Sequence, residues 1–243
     1  MSGKNVQSDS NEKNHIIRLG KSGLRKGRIM RDRVIVTGIV LMATPVGDYD
    51  KRLVILTKER GRITAFCRGA RRTNSVLLAP SNPFCFGEFE LYEGRDAYTV
   101  SRVSVKEYFR EIITDPQTAA YGFYFLEIAN YYTRENADES QMLKLLYLSL
   151  KALMSDKFQN LLVRRIYEMK ALVINGEYPV MSEETPYKEA TIYALQFITI
   201  TPVEKLYSFK VTEDVLEEIG RILDAFMEKY IDREFSSLKL LEL

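Results

Sequence analysis

The chain has 243 residues, 46% of them hydrophobic and 28% charged, with a formal net charge of +2. That is enough apolar material for one large folded domain or two ordinary ones. No run of about 18 apolar residues occurs, and the opening MSGKNVQSDSNEKNH lacks the apolar stretch of a secretory signal, so neither a membrane span nor export is indicated and the expected location is the cytoplasm. The near-neutral total is a cancellation: residues 1–110 hold 21 Lys/Arg against 11 Asp/Glu, and residues 111–243 hold 14 against 22. One half suits a polyanion and the other repels it.

Residues 1–29 are polar and basic, with a short Ile16, Ile17 and Leu19 patch, and read as a flexible tail. From Val34 the texture turns to β-branched and aromatic runs between turn residues. VIVTGIVLM (34–42), RLVILT (52–57) and RITAFCR (62–68) are the first three, with Glu59-Arg60-Gly61 forming a tight hairpin between the second and third. In the fourth, FCFGEFELYE (84–93), Phe84 and Phe86 share one face and Phe89 and Leu91 the other, so a bulge or sharp bend is expected at Gly87. A Glu93-Gly94-Arg95-Asp96 turn leads to the fifth, AYTVSRVSVKEY. Five short strands with hairpins fit a small closed barrel of the OB type over residues 30–110.

At Asp115-Pro116 the period changes from two to nearly four; Asp115 caps a first turn in which Pro116 loses nothing by lacking an N–H. Helices are predicted from here to Tyr132, over 139–156, over 158–179 with Asn175-Gly176 and Pro179 as the stop, and over 212–231. ATIYALQFITI (190–200) reads as a strand pair or as a short helix and strand. The predicted fold class is α+β, a five-stranded OB-fold barrel followed by a mainly α-helical domain over residues 111–243.

FCRGARRTNS (66–75) places Arg68, Arg71 and Arg72 in the loop after the third strand, and Lys51, Arg52, Lys58, Arg60 and Arg62 flank it on adjacent strands and their hairpin. Guanidinium forks bind phosphate oxygens in pairs and stay charged at any relevant pH, so these eight cations are the candidate nucleic-acid contacts. A strand aromatic is ordinarily core; of Tyr49, Phe66, Phe84, Phe86, Tyr92 and Tyr98, the turn residue Tyr49 is the candidate for exposure and base stacking. Asp48 and Asp50 beside it suit local capping better than metal binding. Catalysis finds no support: the sole histidine, His15, lies in the tail, and no Gly-rich phosphate loop, nucleophile elbow or metal-spaced cluster is present. Cys67 and Cys85 are too few for a disulfide framework and read as small buried hydrophobes. At this level a DNA-binding barrel, an RNA-binding barrel of ribosome assembly or translation, and a protein-only adaptor all remain open.

Taken in order, VTGIVL (36–41), GDYDKR (47–52), LTKERGRITAFCRGARR (56–72), FGEFELYEGRDAYTVS (86–101) and EKYIDREFSSLKLL (228–241) resemble the bacterial RecO family of DNA repair proteins. The resemblance implies a non-enzymatic, nucleoid-associated recombination mediator that binds single- and double-stranded DNA, anneals complementary strands and works with RecR, RecF and the C-terminal tail of the single-stranded-DNA-binding protein SSB. The residues it carries over to DNA contact are Lys51, Arg52, Arg68, Arg71 and Arg72. Many members hold a four-cysteine zinc module after the third helix. This chain has no cysteine beyond Cys85, so no metal or other cofactor is expected, and residues 175–205 must hold together by apolar packing through Ile192, Tyr193, Leu195, Phe197 and Ile198.

Overall fold

Five strands come first in the computed structural model, which describes residues 32–177 and 186–240. They are β1 (Arg33–Val46), β2 (Asp50–Thr57), β3 (Gly61–Cys67), β4 (Phe86–Tyr92) and β5 (Tyr98–Glu107), closed in the order β1-β2-β3-β5-β4. Every neighbouring pair is antiparallel except β3 with β5, so the predicted OB-type barrel is present. The basic tail expected over 1–29 and the expected helix stop at Pro179 lie outside the described residues.

β1 runs past the 34–42 stretch because it serves two neighbours. Arg33–Ile39 pairs with β4, Gly38–Val46 pairs with β2, and a bulge between Val40 and Met42 turns it from one to the other. Pro45, which looks like a stop in the sequence, is accommodated where the strand is paired on one side only. The bulge expected at Gly87 is on the neighbour instead: Phe86 and Gly87 pair with Glu107 and Val105, leaving Lys106 as the extra residue of β5. Alternation within β4 is unbroken. Gly87 is required because a Cβ there would meet the Ser104 carbonyl oxygen at 2.4 Å. The change of parity has another cause, since Phe89 and Leu91 fill the barrel while Phe86 turns outward to Tyr147, ring centroids 4.8 Å apart.

The helices are α1 (Pro116–Tyr132), α2 (Ser140–Leu153), α3 (Asn160–Ile174), α4 (Glu189–Ile200) and α5 (Glu213–Tyr230). Asp115 caps α1, its Oδ2 accepting from the Thr118 N–H at 2.7 Å. Residues 190–200, expected to include a strand, form the single helix α4. The reason is tertiary: Lys170 on α3 donates its Nζ protons to the carbonyls of Ile198, Thr199 and Thr201 at 3.1, 2.9 and 2.7 Å, satisfying the end of α4 from outside. Leu195 and Ile198 of α4 are buried and Phe197 packs edge-on against Phe209, but Tyr193, expected in that packing, is 68% exposed.

The described residues form one compact unit. Ile39, Leu41, Val54 and Leu56, on the outer face of β1 and β2, belong to the same apolar cluster as the helices, so that face of the barrel is where the helices pack. Phe84 and Phe109, just before β4 and just after β5, are buried at the junction in left-handed backbone conformations (φ 70° and 51°). Such geometry costs about 1–3 kcal/mol per residue and persists only where burial of the ring offsets it. Deeper among the helices, Glu168 is fully buried and accepts from Tyr124 Oη (2.7 Å), Arg164 Nε (2.8 Å) and Arg165 Nη1 (2.9 Å), a charged network in which the buried Arg165 Nε is left without a partner.

Candidate nucleic-acid interface

Strand direction cuts the eight-cation run in two. Lys51 and Arg52 open β2, whereas Lys58 follows its last residue, and seven residues of strand span roughly 23 Å at about 3.3 Å each. At the far end the β2–β3 hairpin is fastened to the α1–α2 connection: the Arg62 N–H donates to Arg134 O (2.9 Å) and the Asn136 N–H to Arg60 O (3.0 Å). Gly61, at φ +64°, pairs with Glu135, and a Cβ on it would meet Arg134 O at 2.2 Å.

The Arg62 guanidinium is committed as well, Nη1 donating to both the backbone oxygen and Oδ1 of Asn130 at 2.8 Å. Arg62 therefore ties barrel to helices through Asn130 and stands apart from the loop arginines. Arg60 lies 4.0 Å from Glu93, and Lys58 is exposed without an ion pair among the described residues. Neither joins the arginine loop.

At the near end, the loop after β3 folds onto the β1–β2 turn. Asp50 Oδ1 accepts from the Gly69 N–H (2.7 Å), so that aspartate caps locally, as its setting suggests. Tyr49 O accepts from the Arg71 N–H (2.8 Å), Gly47 O accepts from Arg71 Nη1 (3.0 Å), and the Arg72 guanidinium lies 5.0 Å from the centroid of the Tyr49 ring. Lys51 Nζ donates to Asn82 Oδ1 at 2.7 Å, tying the start of β2 to the far side of the same loop. Burial, opposed by Cys67 and reinforced by Arg71, holds the Lys51 ammonium below its ordinary pKa.

Tyr49, Lys51, Arg52, Arg68, Arg71 and Arg72 thus share one end of the barrel. Tyr49 is 52% exposed, and Arg52, Arg68, Arg71 and Arg72 are exposed too. Among the described residues none of these four arginines has a carboxylate partner, whereas the helical arginines Arg164 and Arg165 are both ion-paired. Exposed cations whose charge no carboxylate neutralises are able to neutralise phosphates.

Two of the aromatics ranked behind Tyr49 for exposure also face outward, Phe66 at 36% and Tyr92 at 39% exposure. Their signal was phase: in β3 the inward positions are Ile63, Ala65 and Cys67, and in β4 they are Phe89 and Leu91, which leaves both rings on the opposite face. Phe84 and Tyr98 are buried, and of the α1 rings Tyr121, Tyr124, Phe125 and Tyr132 are buried, Phe125 stacking on Tyr167 at 4.2 Å, while Phe123 is 37% exposed. Burial pushes the thiols of Cys67 and Cys85 up to about 11 and about 12, so both are inert. Among the described residues no helix is long and apolar enough to cross a membrane.

Residues 30–109 match the family described as Recombination protein O N terminal, and residues 113–185 and 182–239 match Recombination protein O C terminal. Among curated relatives, the DNA repair protein RecO of Acetivibrio thermocellus is 27% identical over 238 residues, covering 85% of this chain and 95% of that one. That of Alkaliphilus metalliredigens is 26% identical, with 84% and 96% covered. That of Caldicellulosiruptor bescii is 36% identical over 139 residues, 57% of each. The two family matches divide between the end of β5 and the start of α1.

Proposed function

The chain belongs to the RecO family, and on that premise we propose that it is a DNA-binding recombination mediator of DNA repair that works without enzymatic turnover. The finer reading is that it anneals complementary strands and helps load recombinase onto SSB-coated single-stranded DNA, at the nucleoid, in concert with RecR, RecF and the SSB tail. The observation that carries it is the set of exposed arginines without a carboxylate partner among the described residues, Arg52, Arg68, Arg71 and Arg72, gathered with Lys51 and Tyr49 at one end of the barrel. Such a surface screens phosphate repulsion between two strands and leaves their bases unread; the energy of pairing then comes from the DNA, and no cofactor or hydrolysis enters. The acidic helical half repels DNA and remains free for protein partners.

The test is the salt dependence of binding. Up to five phosphate contacts give a slope of log K against log salt of about −3.5 on single strands. Arg71→Ala with Arg72→Ala should flatten it by about one to two units without any change in sequence preference. An unchanged slope places the interface elsewhere. Tighter binding of matched RNA at equal salt would favour an RNA-binding barrel instead. Annealing of SSB-coated complementary oligonucleotides, with and without RecR, tests the finer reading.

A further inference from the structure

The barrel wall has two outer faces of different character. Ile39, Leu41, Val54 and Leu56 are sealed against the helices. Around the wall, beginning at the start of β2, one row of residues stays open. Register places Arg52 of β2 opposite Phe66 of β3, Phe66 opposite Thr99 of β5, and Thr99 opposite Tyr92 of β4. With strands about 4.8 Å apart, the two rings stand roughly 10 Å from each other across the short Thr99 side chain. Among the described residues neither ring contacts another ring or a cation, although most of the other barrel aromatics do.

We propose that Arg52, Phe66, Thr99 and Tyr92 form a base-stacking track for single-stranded DNA, distinct from the arginine loop that grips phosphates. This rests on the DNA-binding function proposed above and adds to it stacking contacts that begin beside Arg52, the residue the two surfaces share. The chemistry follows from what each strand form offers. A duplex buries the faces of its bases in its own stack, whereas a single strand presents them, and any base has a π-face for Phe66 or Tyr92 to cover. Arg52, which has no carboxylate partner among the described residues, lies beside Phe66 to hold a phosphate. The carboxylates nearby on β4 are already neutralised, Glu88 by Lys106 at 2.7 Å and Glu90 by Arg33 at 2.5 Å, so they do not repel the strand. Bases held by their faces keep their pairing edges outward, which is the presentation that annealing needs.

The chain contains no tryptophan, so Phe66→Trp supplies a lone reporter. The full chain carrying it should lose Trp emission on binding a thymidine oligonucleotide, but not on binding a duplex of the same length at a salt concentration where anisotropy reports both bound. Tyr92→Trp serves in its place if the first variant does not melt like the parent. Phe66→Leu with Tyr92→Leu should raise the single-strand Kd about tenfold or more while changing the duplex Kd and the salt slope little. Unchanged Trp emission with the single strand bound overturns the track, as does equal weakening of both strand forms. Failure of the parent protein to bind DNA at all would instead remove the proposed function itself.

Discussion

Arg62 and Arg71 are the same residue type nine positions apart in one basic stretch, and the fold gives them different surroundings. Arg62 spends its guanidinium on Asn130, 68 positions away, whereas Arg71 bonds one nearby carbonyl and stays exposed. Composition and spacing cannot separate them, because the deciding partner is distant in sequence. Arg62→Ala should therefore lower the melting temperature by an amount equivalent to about 1–3 kcal/mol, since charged hydrogen bonds are lost, and leave the salt slope of DNA binding unchanged. Calorimetry and binding titrations on the same preparation check both halves. The outward phase of Phe66 was legible in the alternation of β3; its neighbourhood was not, because Thr99 and Tyr92 are brought beside it by strand pairing.

Among the elements, those with local signals were read well. The Asp115-Pro116 start of α1, the hairpin at Glu59-Arg60-Gly61 and the acidic first turn of α5 all rest on contacts within a few residues. α4 was misread because ATIYALQFITI is as rich in β-branched residues as a strand, and the Lys170 ammonium that closes its C-terminal end comes from α3. The start of α5 offers a pH test. Lys188 first, and then Thr212, hold the Asp214 carboxyl down to about 2. Its folded value lies below the ordinary carboxylate value of about 3.9, so its contribution to stability is present above that value and is lost as pH falls toward 2. Asp214→Asn should lower the melting temperature at neutral pH, and the gap between variant and parent should close between about pH 4 and pH 2. A gap that persists at pH 2 would mean that the carboxylate charge is not what stabilises the helix start.

At the scale of the whole molecule, barrel and helices act as one body because they share an apolar cluster and a backbone seam at Gly61. Gly61→Ala would force a Cβ into Arg134 O at a left-handed position, at a cost of about 1–3 kcal/mol from backbone strain alone. The expected result is one calorimetric transition at a lower temperature; a barrel melting separately from the helices would show that the seam does not couple them. The sequence by itself determined the OB-type barrel, the helical half, the division of charge between them and the arginine-rich loop, because periodicity, turn chemistry and charge are carried by near neighbours along the chain. Only the tertiary structure decided which cations stay free, which face of the barrel is sealed and which rings share an open row. Those outcomes depend on pairs of residues dozens of positions apart, whose meeting is set by barrel closure and by the packing of helices against one wall.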